Sequence, residues 1–225
     1  MTTRLILGAC MLAHVAHAQL AAKPSLATAT TFRETETGSW RAGDAMVWIR
    51  VAPTGAISVY ASHGYRSAFA HAVIITPEDA EFLYTVYAQT RAEELAPVDW
   101  TEQQKVAFLR SQFNAQHQAY QETYRGGDFL VILRNGQSIG RLYVARWERE
   151  IRIVDIALLP EHRNAGIGSA ILKDILAEGA RSRKRVSIHV EMFNPALTLY
   201  ERLGFRKLRE HGVYHFMEWS PESSA

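Results

Sequence analysis

A short turn after the apolar run that ends at Leu159 has the residue types of an anion site. Two glycines, Gly166 and Gly168, precede a segment with helical apolar periodicity. Glycine lets the backbone come close to a ligand. The first amides of a helix have no partner within it, and the helix dipole adds partial positive charge there. Arg163 adds a full charge and a two-pronged donor, so the turn predicts a phosphate-binding site.

The glycine spacing excludes two common phosphate-binding motifs. A dinucleotide-binding Gly-x-Gly-x-x-Gly would need a third glycine at position 171, which is Ile171. A Walker loop would need Gly-Lys-Ser or Gly-Lys-Thr, which the turn lacks. An ordinary strand-to-helix turn, with glycines for packing, remains open from the spacing alone.

The elements that would position this turn alternate between strands and helices. A β-branched run over 71–76 predicts a strand, and Thr76 followed by Pro77 predicts a helix start with Thr76 as N-cap. Further along, the patterns predict a helix from Asp99 or Thr101 to about Tyr124, strands over 129–133, 138–146 and 151–159, a helix over 168–181, a strand over 186–190, a helix over 195–203, and strands over 205–209 and 213–219. This order predicts an α/β protein with a mixed sheet.

Two motifs carry a resemblance to a known family. Arg163-x-x-Gly166-x-Gly168, after a strand ending in Ala-Leu-Leu-Pro, resembles motif A of the GCN5-related N-acetyltransferases, the GNAT superfamily. The segment from Asn194 to Phe205 resembles that family's second signature, an Asn-containing turn and a helix ending in Tyr, then x-x-x-Gly-Phe. The chain is therefore identified as a member over about residues 71–220. The resemblance implies an α/β GNAT fold, with a mixed central sheet whose splayed strands are flanked by helices.

The resemblance implies acetyl-CoA as co-substrate. The nine histidines show no metal-ligand spacing, so we expect no metal. In this family the strand before the turn diverges from the next strand, and the pantetheine arm pairs with its exposed backbone. Three strand residues would supply that backbone, and the turn from Asn164 to Ser169 would cradle the pyrophosphate. Ala165 departs from the basic residue often found there, which removes one phosphate contact. The cofactor-binding residues implied are Ile156, Ala157, Leu158, Arg163, Asn164, Ala165, Gly166, Ile167, Gly168, Ser169 and Asn194.

Tyr200 matches the family tyrosine that protonates the departing CoA thiolate. An amine attacks the thioester carbonyl, a backbone N–H stabilises the oxyanion, and sulfur leaves as a thiolate. A phenol with a pKa near 10 can donate to that thiolate. The alternative is an aromatic side chain packed against Leu197 and Leu203.

Asn194 stands one position after the usual pantetheine-contacting asparagine, a place that Phe193 occupies here. It replaces that contact, or it caps the helix opened by Pro195. We expect capping together with a CoA contact.

Three polar strand residues are candidates for the general base. An ionised Asp155 in a long apolar strand is costly unless it is paired or near a cleft. An ion pair with Arg152 or Arg141 is therefore the alternative. Glu191 and His189 share a face of the next strand by two-residue periodicity and could relay a proton through water, or they form a polar strand end. Some members of the family need no dedicated base once the amine is neutral.

The resemblance also implies an acceptor pocket roofed by the first two helices and their connection. That connection covers residues 91–100 and holds Glu93, Glu94, Asp99 and Trp100. Acids and an aromatic ring favour a cationic amine. A solvated helix end is the alternative.

Residues 1–70 predict an extension without visible chemistry. Met1 to Ala18 resembles a secretory signal, with a basic start, an apolar run and a small-x-small cleavage site. Residues 19–45, rich in Ala, Thr and Ser, predict a poorly ordered linker, and residues 46–60 predict a hairpin. Export remains open, but the use of acetyl-CoA favours a cytoplasmic protein.

Composition excludes several function classes. The formal charge of +2, from 25 Lys and Arg against 23 Asp and Glu, lacks the electrostatic footprint of a nucleic-acid binder. The one cysteine, Cys10, excludes an internal disulfide framework and a Cys-based zinc site. No apolar run in the body of the chain reaches the length of about 18 residues that spans a membrane. We therefore expect no nucleic-acid partner and no membrane partner.

The resemblance implies an acyl-CoA-dependent N-acetyltransferase. It would move an acetyl group from acetyl-CoA to a primary amine by direct attack in a ternary complex. The acceptor would be a small-molecule or peptide amine, and a homodimer is compatible with the sequence. The alternatives are a non-catalytic acyl-CoA-binding sensor or partner module, and a protein N-terminal or lysine acetyltransferase.

Overall fold

The computed structural model describes four strands between residues 33 and 62 and the chain from residue 71 to residue 221. The four strands, β1 (Arg33–Thr35), β2 (Ser39–Ala42), β3 (Ala45–Val51) and β4 (Ile57–Ser62), form one antiparallel sheet in that order. β3 and β4 pair where the hairpin is predicted. β1 and β2 lie within the range predicted as a linker, because strands this short leave little trace in average composition. The signal-like segment lies outside the described residues.

The second sheet has seven strands in the order β10-β11-β9-β8-β7-β6-β5, and only β8 and β9 run parallel. The predicted α/β class with a mixed sheet is confirmed. In chain order the elements are β5 (His71–Ile74), α1 (Ala80–Leu95), α2 (Glu102–Thr123), β6 (Asp128–Arg134), β7 (Gln137–Arg146), β8 (Glu150–Leu158), α3 (Ile167–Ser182), β9 (Arg185–Glu191), α4 (Leu197–Arg202), β10 (Arg206–His211) and β11 (Tyr214–Trp219).

Local signals set most element boundaries. Thr76 and Asp79 form a capping box around a short 3-10 turn, and α1 begins at the next residue. Thr101 caps α2, and its hydroxyl accepts a hydrogen bond from the Gln104 N–H at 3.3 Å. The β6–β7 hairpin turns through Asn135 and Gly136 with φ of +52° and +77°, the left-handed conformations that a tight hairpin turn needs.

The seven-stranded sheet lies between two helical layers. On one face α3 packs against an apolar cluster that includes Leu130 and Ile132 of β6. On the other face α1 and α2 pack against Val131, the residue between them. Alternate residues of one strand therefore face opposite layers, as the pleat requires.

A bulge and a splay shape the middle of this sheet. β8 pairs with β9 from Glu150 opposite Arg185 to Ile153 opposite Ile188, and within the described chain their pairing ends there. On its other side, β8 pairs with β7 through a register shift that leaves Val154 without an opposite residue. An extra residue reverses the side-chain alternation. The remainder of β8 therefore runs beside a gap, with Asp155 on the face that lies under α1 and α2.

Candidate active site

The gap exposes one edge of the end of β8. Ala157 and Leu158 pair with Arg141 and Gly140 of β7, and the edge toward β9 has no strand partner within the described chain. Ile156, Ala157 and Leu158 therefore lie where the sequence predicts the backbone for the pantetheine arm. The Arg163 Nε donates a hydrogen bond to the Leu158 carbonyl at 2.9 Å, which fixes this guanidinium at the end of the gap.

Gly140 allows β7 to approach β8 closely at this point. A Cβ there would stand 2.3 Å from the carbonyl oxygen of Ala157, closer than any real contact. Sequence reasoning missed this residue, although a glycine inside a strand is a signal of close backbone approach.

The predicted anion turn leads directly from β8 into α3. Asn164 and Gly166 have φ of +57° and +79°, and α3 begins at Ile167. The first bond of the helix runs from the Ala170 N–H to the Gly166 carbonyl at 2.9 Å. The N–H groups of the three preceding residues, through Ser169, thus come before the helical ladder and are free to meet an anion.

Tyr200 lies on α4, only 4% exposed, with its ring 5.7 Å from that of Phe205. Burial, and then the charge of Asp155, raise the pKa of its phenol above the usual value, so the hydroxyl stays protonated at neutral pH. Within residues 71–221 this hydroxyl has no hydrogen-bond partner. Leu197 and Leu203 pack against the same apolar cluster as Tyr200, so its ring also has a structural role.

Asn194 closes the turn before α4. Its Oδ1 accepts a hydrogen bond from the Ala196 N–H at 2.8 Å, and the N-cap of α4 is Ala196 itself. Asn194 therefore caps this turn. The sequence had predicted that it caps a helix beginning at Pro195, but the helix begins later, at Leu197. Phe193, beside it, is 93% exposed.

Asp155 is held by Arg141, one of the two partners that the sequence left open. The Arg141 Nη2 donates to Oδ2 at 2.8 Å and its Nε donates to Oδ1 at 3.3 Å. Burial opposes the charge of Arg141, but Asp155 beside it holds the Arg141 pKa above its usual value. Arg152, the other candidate, pairs with Glu150 instead, at 2.6 Å.

Glu191 is bound by a residue that sequence reasoning did not single out. Arg91 of α1 reaches its Oε1 at 3.0 Å and also reaches Glu94 at 2.8 Å. The Tyr214 hydroxyl donates to the same Glu191 oxygen at 3.4 Å. Arg91 thus joins Glu94, a predicted acceptor residue, to Glu191, a predicted catalytic one.

His189 lies on the same face of β9 as Glu191, as predicted, but in a different environment. Its Nδ1 is 3.2 Å from the Arg152 Nη1. Burial, and then the charge of Arg152, lower the pKa of His189 to about 4. The imidazole is therefore neutral at pH 7 and a weak proton acceptor.

The two ion pairs beside the gap share one aromatic ring. The guanidinium carbons of Arg91 and Arg141 lie 5.9 and 5.8 Å from the ring centroid of Tyr87. Tyr120 of α2 lies near the same group. Burial, and then the charge of Asp155, raise the pKa of its phenol. These residues come from α1, α2 and β7, which are far apart in sequence, and no local pattern marks them.

Two predicted acceptor residues lie apart from this group. Trp100, 37% exposed, packs edge-on against Phe108 of α2 at 5.2 Å. Glu93 is solvent-exposed at the end of α1, which fits the alternative of a solvated helix end.

Neither a metal-ligating cluster nor a membrane-spanning helix is found in the described part of the chain. No group of three or more His, Cys, Asp or Glu side chains there could hold a metal ion. None of the helices among those residues combines the length and the apolar character needed to cross a bilayer.

Comparison with known proteins agrees with the sequence motifs. The family model described as an acetyltransferase (GNAT) domain matches residues 125–207, a range that holds both the anion turn and Tyr200. No curated protein matches the chain by sequence.

Solved structures show the fold. The PaiA N-acetyltransferase of Thermoplasma acidophilum, in complex with coenzyme A, has a TM-score of 0.52 at 16% identity, covering 67% of this chain and 98% of its own. PH1933 from Pyrococcus horikoshii has a TM-score of 0.50 at 16% identity, covering 68% and 99%. A GCN5-related N-acetyltransferase from Rhodopseudomonas palustris has a TM-score of 0.50 at 16% identity, covering 69% and 98%. The GNAT fold predicted from the two motifs is confirmed, and over residues 125–207 the chain matches the GNAT acetyltransferase domain.

Proposed function

We propose that the protein transfers an acetyl group from acetyl-CoA to a primary amine by direct attack in a ternary complex. The observation that carries the proposal is the splay of β8 from β9, which ends at the anion turn of α3. An extended thioester arm fits beside the free edge of β8, while its phosphates meet the helix N–H groups. The structural relative from Thermoplasma acidophilum, whose complex contains coenzyme A, supports this use of the fold.

The cofactor contacts follow from this placement. The edge of residues Ile156 to Leu158 would pair with the pantetheine amides, and Asn164 to Ser169 would bind the pyrophosphate. Arg163, tied to the Leu158 carbonyl, would orient the turn and add charge for a phosphate. Asn194 has its side-chain oxygen engaged, so its contact with the cofactor would use the amide nitrogen.

The chemistry needs three events at the gap. The amine nitrogen attacks the thioester carbon, the C–S bond breaks, and the nitrogen loses a proton. Tyr200 would donate a hydrogen bond and then a proton to the leaving sulfur. The raised pKa of its phenol keeps this donor protonated throughout the neutral range.

The two predicted carboxylates would divide the remaining work. Both oxygens of Asp155 accept hydrogen bonds from a buried arginine, and we assign Asp155 to holding charge near the amine. The Glu191 side chain is 33% exposed, and one of its oxygens has no hydrogen-bond partner among the described residues. It is the better acceptor for the amine proton, directly or through water.

Tyr200→Phe tests the proposal. We expect kcat to fall about 100-fold with little change in acetyl-CoA affinity, because the hydroxyl acts on the leaving group. Steady-state release of the CoA thiol and calorimetric binding of acetyl-CoA measure the two quantities. Tyr84→Phe, in the contact between α1 and α2, is the matched control and should behave as the wild type.

The outcomes separate enzyme from binding module. Tight acetyl-CoA binding without turnover on any amine, together with no effect of Tyr200→Phe, would overturn catalysis and favour an acyl-CoA sensor. Turnover only on peptide N-termini or lysine side chains in proteins would instead identify a protein acetyltransferase.

A further inference from the structure

We infer that the acceptor is an amine that also carries a carboxylate a few bonds away, an amino acid, and not a simple cation. The inference rests on the proposed acetyl transfer and names its substrate class. It follows from two ion pairs that face the gap from the side of α1 and α2.

Both carboxylates lie where the attacking amine must enter. Asp155 follows the last β8 residue that pairs with β9, and Glu191 lies beyond the last β9 residue that pairs with β8. Asp155 is opposite Tyr143, whose ring contacts α2, and Glu191 contacts α1. The two acids therefore flank the gap on the same face of the sheet.

Each carboxylate forms an ion pair with a guanidinium group. Arg141 reaches Asp155 at 2.8 Å and Arg91 reaches Glu191 at 3.0 Å. Because both guanidinium carbons lie within 6 Å of the centroid of the Tyr87 ring, the two pairs belong to one site. Charges of both signs thus stand beside the attack position.

This arrangement discriminates by charge. A diamine would bring its second positive charge toward the Arg91 guanidinium, and an anion without an ammonium group would face Asp155, Glu191 and Glu94. A molecule with an ammonium and a carboxylate can satisfy both signs, and like-charge contact penalises the competitors. The same acids that attract the ammonium then hold it until it loses its proton.

The Arg91 pair is the one able to exchange partners. The side chains of Arg91 and Glu191 are 24% and 33% exposed, against 3% for Arg141. A substrate carboxylate can replace Glu94 or Glu191 at the Arg91 fork, and the released Glu191 can meet the ammonium. Arg91 would therefore determine specificity, while the buried Arg141 keeps Asp155 in place.

Matched acceptors test the inference. For small, aromatic, acidic and basic side chains, three molecules are compared: the amino acid, its amide and its decarboxylated amine. For the best side chain we expect kcat/KM to be at least about ten-fold higher for the amino acid, the value of one charged hydrogen bond. An amide or decarboxylated amine used equally well would overturn the inference.

Two variants locate the effect. Arg91→Met should bring the ratio between amino acid and amide close to one, with most of the loss in KM. Arg110→Met is the matched control, because Arg110 likewise pairs with a carboxylate, Glu81 at 2.7 Å, over a tyrosine ring, that of Tyr84, but at an exposed position. It should leave the ratio unchanged, and an unchanged ratio in Arg91→Met would overturn the role of Arg91.

Failure of catalysis and failure of this inference are distinguishable. If no acceptor turns over, calorimetric titration of the same three molecules into CoA-saturated protein decides. Tighter binding of the amino acid, lost in Arg91→Met, supports the inference without catalysis. Equal binding of all three, or no binding of the amino acid, overturns it.

Discussion

The two faces of the seven-stranded sheet differ in kind. The face under α3 is mainly a continuous apolar cluster that includes Ile151, Ile153 and Leu172, with an ion pair between Arg146 and Glu178 at the end of β7. The face under α1 and α2 carries buried charges such as Arg141 and Arg152 beside a smaller apolar cluster. Apolar burial stabilises a fold, whereas a buried ion pair roughly repays its own desolvation. We therefore expect the first face to supply stability and the second to supply recognition of the acceptor.

The cofactor and the acceptor differ in the same way. The proposed cofactor contacts are mostly backbone groups of β8 and of the turn before α3. The proposed acceptor contacts are charged side chains of α1, β7, β8 and β9. Substitutions on each face can test whether stability and recognition are separate.

Removal of one buried charge has the largest expected effect. Arg141→Met leaves the Asp155 carboxylate without its partner, so the free energy of unfolding should fall by about 3–5 kcal/mol. Urea unfolding followed by circular dichroism measures it. The double variant Arg141→Met/Asp155→Leu removes both charges and should regain most of that stability. A double variant as unstable as the single one would mean that the charged face is itself a main source of stability.

Truncation on the apolar face should act on stability alone. Leu172 of α3 is 1% exposed within the cluster, so Leu172→Ala should lower the free energy of unfolding by about 3 kcal/mol through lost contacts and a cavity. Acceptor preference, measured below the unfolding temperature as the ratio of kcat/KM for an amino acid and its amide, should stay at the wild-type value. A shifted ratio would show that the two faces are coupled.

His189 predicts a smaller, pH-dependent effect on the charged face. Its pKa is about 4 in the folded protein against 6.5 ordinarily, so the unfolded chain binds the proton more tightly. Its stabilising contribution is complete above about pH 6.5 and is lost as the pH falls toward about 4. Because the ring is only half-buried, solvent screening reduces the loss to about 1 kcal/mol. In His189→Gln the urea midpoint should change less between pH 7 and pH 5 than in the wild type. An unchanged pH dependence would contradict the lowered pKa of His189.

An exposed ion pair should have the smallest effect. Arg110 and Glu81 pair at 2.7 Å on the solvent side of α1 and α2. Water screens such a pair, so Arg110→Met should leave the urea midpoint unchanged within error. A clear loss of stability would show that charges on this side matter for folding wherever they lie, which would weaken the contrast between the two faces.

Particular residues show how far the sequence can be read. Thr76 and Thr101 are predictable caps because capping depends on neighbours three residues away. Asp155 is different, since its face depends on the bulge at Val154 and its partner on the position of β7. The sequence therefore leaves both Arg141 and Arg152 open as partners of Asp155. In the structure Arg152 pairs instead with Glu150 on its own strand.

The structure brings only part of the predicted acceptor segment, residues 91–100, to the gap. Trp100 and Glu93 drew attention because acids and an aromatic ring lie close together in sequence. Trp100 instead covers Phe108, while Arg91 makes the contact with Glu191 across 100 positions of the chain. A pair so distant leaves no periodic signal in the sequence.

By itself the sequence determined the class of fold, the order of its elements, the anion turn and Tyr200 as the candidate acid. These features depend on contiguous residues, since a turn, a cap or a helix start is stabilised by groups a few positions apart. Only the tertiary structure decided which charges meet at the gap, because the splay, the bulge and the approach of Arg91 arise when distant elements pack together.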